Sequence, residues 1–371
     1  MKLLLIAGEV SADVYAAGLS RHLLAERPSL VLYGVGGQHL KGIVHQFLLE
    51  SVQYSAVGLN ARRHSRSFVK TLLGTLNRFL DQTVIDRVVL LDFQHHNTAL
   101  ARVFRRRGVP IVTYITPNFW MYNGRRQAQK IVNYSEKIIT IFQKEYSFYK
   151  ERCDHVYYFG HPLTELVAPV QRKRPCAKER PVLTLFPGSR HQEFDLYFDS
   201  MLSAVKRLSE EGVVFRCYLA VSSPHFLKRI QAALRAYRLD WIELYQEADK
   251  SALLCRTDCL VTASGSATLE AILYETPMVV LCALKPLTYW VAKYVLRLKM
   301  PYISLPNILA GQGIVPELVQ SQITPERILE EIKMCLDRDQ GDERRRLYRI
   351  VSGSLRTCSS PLLEAAKEIL R

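Results

Sequence analysis

Two glycine–serine turns are the residues best placed to do chemistry. Pro187-Gly188-Ser189-Arg190 follows the apolar run Val182–Phe186, and Ser264-Gly265-Ser266-Ala267-Thr268-Leu269-Glu270 follows the apolar run Cys259–Thr262. A turn that links a buried strand to a helix offers backbone N–H groups and a helix N-terminus to an anion. Arg190 adds a guanidinium that can grip a phosphate through two parallel bonds. Beside a departing diphosphate it would stabilise the charge that develops during transfer; the plainer alternative is a surface arginine capping the turn. Gly188, Ser189, Ser264, Gly265, Ser266 and Thr268 supply further N–H and hydroxyl groups. Glu270 can accept both hydroxyls of a ribose, as acidic residues do in other nucleotide folds. Serine and threonine ahead of an acidic residue also spell a helix cap, and the two readings are compatible. Together the turns point to a nucleotide diphosphate site in the C-terminal half of an enzyme.

A second group of reactive residues lies earlier. Asp92 ends the apolar run Arg87–Leu91 and is followed by Phe93-Gln94-His95-His96-Asn97. A carboxylate at a strand end can serve as a general base. His95 and His96 are alternative bases with a better-matched intrinsic pKa, and an aspartate that merely holds its loop by hydrogen bonds is the third reading. Two other patterns carry less. Gly34-Val35-Gly36-Gly37 lacks the full spacing of a dinucleotide loop. Asp337-Arg338-Asp339 has a metal–nucleotide spelling but lies in a polar stretch, where a solvated surface is expected.

These residues need strands and helices to aim them. Leu3–Ala7, Leu30–Tyr33, Arg87–Leu91, Val109–Tyr114, Lys137–Ile141 and Val156–Phe159 read as strands separated by helical segments, the first helix running to about Ala25. Such alternation means crossover connections and a parallel sheet covered by helices. The pattern restarts with Val182–Phe186, Phe215–Ala220, Trp241–Leu244, Cys259–Thr262 and Met278–Leu281. Two doubly wound α/β domains with a central cleft are expected, with ligands at the carboxyl ends of the strands. Residues 1–165 would form the first domain, 166–180 a basic linker, 181–340 the second domain and 341–371 a helical C-terminal segment.

The chain has 371 residues, 48% hydrophobic and 23% charged, which suits two folded domains and excludes a disordered protein. A formal net charge of +15 favours anionic partners, either phosphorylated metabolites, nucleic acid or an acidic membrane face. Bare electrostatic binding of nucleic acid needs none of the loop motifs, so no nucleic-acid partner is expected. Met1–Gly8 lacks the features of a secretory signal, and no uninterrupted apolar run is long enough to span a bilayer. A cytoplasmic protein, soluble or peripherally bound, is expected. Basic and apolar residues mix at Arg62–Leu73 and in Pro286–Lys299, an amphipathic helix by its spacing; docking on an acidic bilayer competes there with packing on the core. All eight cysteines lie from Cys153 onward. Cys255 and Cys259 would share a helical face, but no matching His/Cys pair makes a metal site.

In this order the motifs resemble the lipid A disaccharide synthases, inverting glycosyltransferases of the two-Rossmann-domain (GT-B) type. The matching pieces are Ala7-Gly8-Glu9-Val10-Ser11 with Asp13, Gly34–Gly37, Asp92–Asn97, Pro117–Trp120, Gly160-His161-Pro162, Pro187–Arg190 with Glu193, Ser264–Glu270, Pro277–Val280, Lys285-Pro286, Ser304–Gly311 and Pro316-Glu317-Leu318. The resemblance implies transfer from UDP-2,3-diacylglucosamine to the 6-hydroxyl of 2,3-diacylglucosamine 1-phosphate, giving a β-1,6 disaccharide phosphate and UDP, with no cofactor and no metal. It places the essential aspartate at Asp92, the phosphate-region arginine at Arg190 and an essential glutamate at Glu317. Acceptor-side candidates are Glu9, Ser11, Asp13, His95, His96, Asn97 and Trp120. It further implies a peripheral enzyme on the acidic cytoplasmic face of an inner membrane, C-terminal helices that cross back to the first domain or to a partner subunit, and a homodimer with swapped C-terminal segments. Ala12, His95, Met121 and the polar start of the helix at Asn60-Ala61-Arg62-Arg63 depart from the family pattern, all on the acceptor and membrane side. A UDP-N-acetylglucosamine 2-epimerase or another GT-B enzyme is the alternative enzyme reading, and a non-catalytic basic protein that binds membrane or nucleic acid is the alternative outside enzymes.

Overall fold

The structure is a computed structural model that describes residues 1–52, 61–92, 97–122, 124–167, 180–188, 191–221, 224–246, 250–283 and 301–371. Strands β1 (Lys2–Ala7), β2 (Val31–Gly36), β3 (Gln46–Glu50), β4 (Arg87–Leu91), β5 (Ile111–Tyr114), β6 (Lys137–Thr140) and β7 (Val156–Tyr158) form a parallel sheet in the order β3-β2-β1-β4-β5-β6-β7. Helices α1 (Val10–Glu26), α2 (Gln38–Lys41), α3 (Ala61–Gln82), α4 (Asn97–Arg106), α5 (Arg125–Tyr134) and α6 (Gln143–Lys150) supply the crossovers, and α7 (Leu163–Leu166) follows β7.

Parallel strands covered on both faces need side chains that are apolar in both directions. β4 meets this demand, being buried along its whole length. On one face Leu4, Ile6, Val35, Val88 and Leu90 pack against Phe68, Leu72 and Phe79 of α3, Leu100 and Phe104 of α4, and Ile131 of α5. The alternate residues Leu3, Leu5, Val89 and Leu91, also fully buried, point to the opposite face by the period of two.

The second sheet contains β8 (Val182–Phe186), β9 (Arg216–Ala220), β10 (Glu243–Tyr245), β11 (Cys259–Ala263), β12 (Met278–Cys282) and β13 (Glu317–Val319), ordered β10-β9-β8-β11-β12-β13 and again parallel. Its helices are α8 (His191–Glu210), α9 (Pro224–Tyr237), α10 (Ser251–Arg256), α11 (Ala267–Leu273), α12 (Leu305–Ala310) and α13 (Pro325–Leu336). Leu183, Leu185, Val261 and Leu281 meet Phe194, Met201 and Val205 of α8, Ile230 of α9, and Ile328 and Ile332 of α13.

The chain divides into two compact units, residues 1–166 with 354–371, and residues 167–353. Helix α14 (Arg338–Leu355) carries the chain back, and α15 (Pro361–Leu370) packs on α1 in the first unit. Polar anchors fix the return: Lys137 Nζ lies 2.8 Å from Glu368 Oε1, Leu362 N–H donates to Glu165 Oε2 at 2.9 Å, and Arg87 donates to the Ile369 carbonyl.

Three expectations change. β2 runs on through Gly36, so Gly34 and Gly36 are strand residues rather than loop. β3 and β13 add edge strands that the apolar pattern does not announce. Cys255 lies in α10 and Cys259 in β11, so the two share no helical face. Most of the expected linker (168–179) and all of Pro286–Lys299 lie outside the described residues.

Candidate active site

In a doubly wound sheet the ligand crevice opens where strand order reverses, outside the carboxyl ends of the two central strands. In the second unit those strands are β8 and β11, with Phe186 in register with Thr262. The sequence therefore folds so that its two glycine–serine turns leave adjacent strands at the same edge. After β8, Pro187 is buried and Gly188 adopts φ +96°, a backbone state that only glycine enters without steric cost. Ser189 and Arg190 lie outside the described residues, and α8 begins at His191. After β11, Ser264 N–H donates to Leu281 O at 3.0 Å. Gly265 and Ser266 are exposed, while Thr268 is buried with its hydroxyl donating to Gly265 O at 2.7 Å. Thr268 thus shapes the turn, and Gly265 and Ser266 offer the accessible groups.

Glu270 is half-buried in the first turn of α11. Facing it is Lys250, ahead of α10, whose Nζ sits 5.1 Å from the centroid of the Phe186 ring. Burial pushes the Lys250 ammonium below its usual range, and the Glu270 charge works against that shift. Nothing in its local sequence marks Lys250. The rule that every strand sends its carboxyl-end loop to the crevice could have found it, since it lies in the loop after β10.

Glu317 opens β13, beside Val280 of β12. Its carboxylate accepts from Ile303 N (2.9 Å), Ser304 N (2.8 Å), Ser304 Oγ (2.5 Å) and Asn307 Nδ2 (2.8 Å). Asn307 Oδ1 in turn accepts from Ile314 N and Val315 N. The motif Ser304–Gly311 is therefore held in shape by Glu317 through Ser304 and Asn307. Asp337, the other acidic signal, caps α14 by accepting from Gln340 N at 3.1 Å.

In the first unit the order reverses between β1 and β4, with Ala7 in register with Leu91. Gly8 N–H donates to Leu91 O at 3.1 Å, so the loop Gly8–Ser11 and Asp92 lie at one edge. Glu9 and Ser11 are half-buried there. Asp13 is 2% exposed and accepts from Gly37 N (2.6 Å), His39 N (3.0 Å) and Leu40 N (3.2 Å), satisfying the N-terminus of α2. A Cβ on Gly37 would sit 2.7 Å from Asp13 Oδ2, which explains the glycines without any dinucleotide. His95 and His96 lie outside the described residues, as does the side chain of Asn97.

Asp92 has φ +38°, and its N–H donates to Ile115 O at 3.2 Å. Ile115, just past β5, has φ +66°. Beyond it Trp120 is 9% exposed and packs on Phe142 (5.5 Å between centroids), which packs on His161 (5.1 Å). Trp120 anchors its turn against this aromatic column. His161 is 1% exposed, and its Nδ1 accepts from Leu163 N at 3.1 Å, which leaves the ring proton on Nε2; burial holds its pKa down at about 3. The buried Glu145 binds Thr116 and the start of α6, a network that no local sequence signal marks. Among the described residues no group of three His, Cys, Asp or Glu side chains is placed to hold a metal ion.

The profile of the family described as Lipid-A-disaccharide synthetase matches residues 3–365. The chain belongs to the lipid-A-disaccharide synthase family. A relative bearing that name from Geobacter metallireducens is 31% identical over 342 residues, covering 91% of this chain and 88% of the relative. Membership along the whole chain makes this a glycosyltransferase of lipid A biosynthesis. Solved structures with the same fold include the calicheamicin glycosyltransferase CalG4 (TM-score 0.60, 16% identity, 99% of this chain and 97% of that one). They also include the UDP-GlcNAc 2-epimerase from Neisseria meningitidis bound to UDP-GlcNAc (TM-score 0.57, 13% identity, 100% and 98%). The likeness to an epimerase is one of fold alone, and the family match favours sugar transfer over epimerisation.

Proposed function

We propose that this chain transfers the sugar of UDP-2,3-diacylglucosamine to the 6-hydroxyl of 2,3-diacylglucosamine 1-phosphate, forming the β-1,6 disaccharide 1-phosphate and UDP. The observation that carries this reading is the paired switch point: two glycine–serine turns on adjacent strands of the second unit, and Asp92 beside the Gly8–Ser11 loop in the first. The second unit holds the donor. The N–H groups around Gly188, Gly265 and Ser266 and the guanidinium of Arg190 receive the diphosphate, and Glu270 takes the ribose hydroxyls.

The first unit holds the acceptor. Asp92 takes the proton of the acceptor 6-hydroxyl as its oxygen attacks the anomeric carbon of the donor. The bond from that carbon to the diphosphate breaks, and UDP leaves with the electron pair. Inversion needs a single displacement, so one base suffices. Charge gathers on the diphosphate as the bond breaks, where Arg190 and the turn amides stabilise it. Glu317 acts by holding the Ser304–Asn307 segment. Glu9, Ser11, His95, His96 and Asn97 are the acceptor-side contacts in this reading, while Asp13 shapes the Gly37–Leu40 segment and Trp120 anchors its own turn.

Acylated substrates live in a bilayer, so we place the enzyme peripherally on an acidic membrane surface, the cytoplasmic face of the inner membrane. Among the described residues no helix is long and apolar enough to cross a membrane, and a basic helical face of the first unit supports the electrostatic mode of attachment. A homodimer with exchanged C-terminal segments would swap α15, the helix that lies on α1. The decisive experiment mixes purified protein with both acylated sugars and reads the lipid product by mass spectrometry. The disaccharide 1-phosphate with stoichiometric UDP is expected. An epimerised UDP-sugar formed without acceptor, or no UDP release, overturns the reading.

A further inference from the structure

Asp92 is held by a neighbour in an unusual state. A β-branched residue at positive φ is a genuine outlier, and Ile115, the backbone partner of Asp92, adopts φ +66°. Its carbonyl receives the Asp92 N–H (3.2 Å), while its own N–H donates to Ile139 O (3.0 Å). Such a state persists only where the surroundings over-determine it. The next residue supplies the restraint: Thr116 N–H donates to Glu145 Oε1 at 3.2 Å, and the Thr116 hydroxyl reaches the same oxygen at 2.5 Å. Glu145 Oε2 meanwhile accepts from Ile141 N (2.9 Å) and Phe142 N (3.3 Å), at the junction of β6 and α6.

We propose that Glu145 is a positioning residue for Asp92: through Thr116 it locks the left-handed turn at Ile115 whose carbonyl carries the Asp92 backbone. The inference rests on the reading of Asp92 as the base. A helix cap alone would require only the two bonds to Ile141 and Phe142. A glutamate buried to 1% exposure is expensive, and half of its accepting capacity is spent on the end of another strand. The cost is visible in its titration. Burial raises the carboxyl to about 7 even though four donors work to lower it. The hydroxyl of Thr116 suits either state. It donates to the carboxylate, or it accepts from the carboxylic acid and turns its own proton toward Pro117 O, 3.4 Å away.

Three substitutions separate positioning from folding. Thr116→Val removes the hydroxyl and keeps the shape and the backbone bond, Thr116→Ser keeps the hydroxyl, and Glu145→Gln removes the carboxylate. A displacement of the base by a fraction of an ångström to 1 Å costs on the order of tenfold to a hundredfold in rate. Thr116→Val and Glu145→Gln are expected to lower kcat at least about tenfold with the UDP-sugar KM unchanged, while Thr116→Ser stays within about twofold of the parent. Circular dichroism and the unfolding midpoint establish that each variant folds; if Glu145→Gln does not, the comparison of the two Thr116 variants is decisive by itself. A folded Thr116→Val with parental kcat overturns the inference, and so does equal loss in Thr116→Val and Thr116→Ser. Asp92→Asn, run alongside, tests the underlying reading by itself: near-normal turnover there removes Asp92 as the base, whereas an inactive Asp92→Asn with a normal Thr116→Val sinks only the role of Glu145.

Discussion

Lys250 is the residue whose chemistry is best exposed by the fold. Its ammonium lies over Phe186 at the end of β8 and faces Glu270, so a cation stands where the donor reading places a nucleotide. Burial disfavours that charge in the free protein, and an incoming diphosphate would relieve the cost. Lys250→Met keeps the stem over Phe186 and removes the charge. Titration calorimetry should then give about tenfold weaker UDP binding, roughly the 1.4 kcal/mol of one charge-assisted contact, with no loss of stability; unchanged affinity would place Lys250 outside the nucleotide site. His161 yields a prediction in pH. In the unfolded chain it takes up a proton below about 6.5, whereas the folded side chain stays neutral down to about 3. Its contribution is thus fully present above pH 6.5 and is lost as pH falls toward 3, at up to about 1.4 kcal/mol per unit. Glu145 acts with the opposite sign, since its raised carboxyl loses stability as pH rises from 4.5 to about 7. Comparing variants isolates each limb. Between pH 7 and pH 5 the parent should lose about 2 kcal/mol more than His161→Gln in urea unfolding, and parallel losses would mean that the imidazole is protonated in the folded state.

The elements that aim these groups were legible to different degrees, for physical reasons. β4 and β8 have the bounds that their apolar runs predict, because strands buried on both faces are apolar along most of their length. β3 and β13 could not be read in the same way: β3 is only half-covered and begins and ends on polar residues, and β13 is short and begins with the polar Glu317. Gly34 and Gly36 look like loop in a sequence because they have no side chains to bury, yet the structure uses that lack of bulk to bring the end of β2 against Asp13 and Leu40. The same distinction governs the site. The two glycine–serine turns are contiguous in sequence and could be read, whereas the partners of Glu145, Lys250 and Glu317 come from other elements and could not. Asp13 is the clearest test at this scale, since three N–H groups of the Gly37–Leu40 segment depend on it. Asp13→Ala leaves buried donors unsatisfied and should cost about 3 kcal/mol in urea unfolding. A parental midpoint with impaired turnover would assign the carboxylate to the acceptor instead.

On the scale of the whole molecule, the net charge of +15 is unevenly placed. Helices α3, α4 and α5, which pack side by side on one face of the first sheet, carry eleven lysines and arginines against the single aspartate Asp81. Lys70, Arg78, Arg102, Arg105, Arg106, Arg125, Arg126 and Lys130 are exposed there. Arginines in the last turn of α4 suit its dipole, but that accounts for Arg105 and Arg106 alone and leaves the rest of the face unexplained. On the proposed function a bilayer of anionic lipid would account for it, since each basic residue near such a surface contributes about 1 kcal/mol, screened by salt. Substrates whose acyl chains remain in the membrane would then meet an enzyme held beside them by charge. Reversing two charges, Arg102→Glu with Arg106→Glu, should weaken sedimentation with phosphatidylglycerol vesicles by at least about thirtyfold, the equivalent of about 2 kcal/mol, and the parent should show a steep loss of binding as salt rises. Turnover of substrates dispersed in detergent should be unaffected, because these side chains lie on helices and not on the strand-end loops that form the candidate site. If the double variant binds vesicles as the parent does, the attachment is apolar and its surface lies elsewhere on the chain.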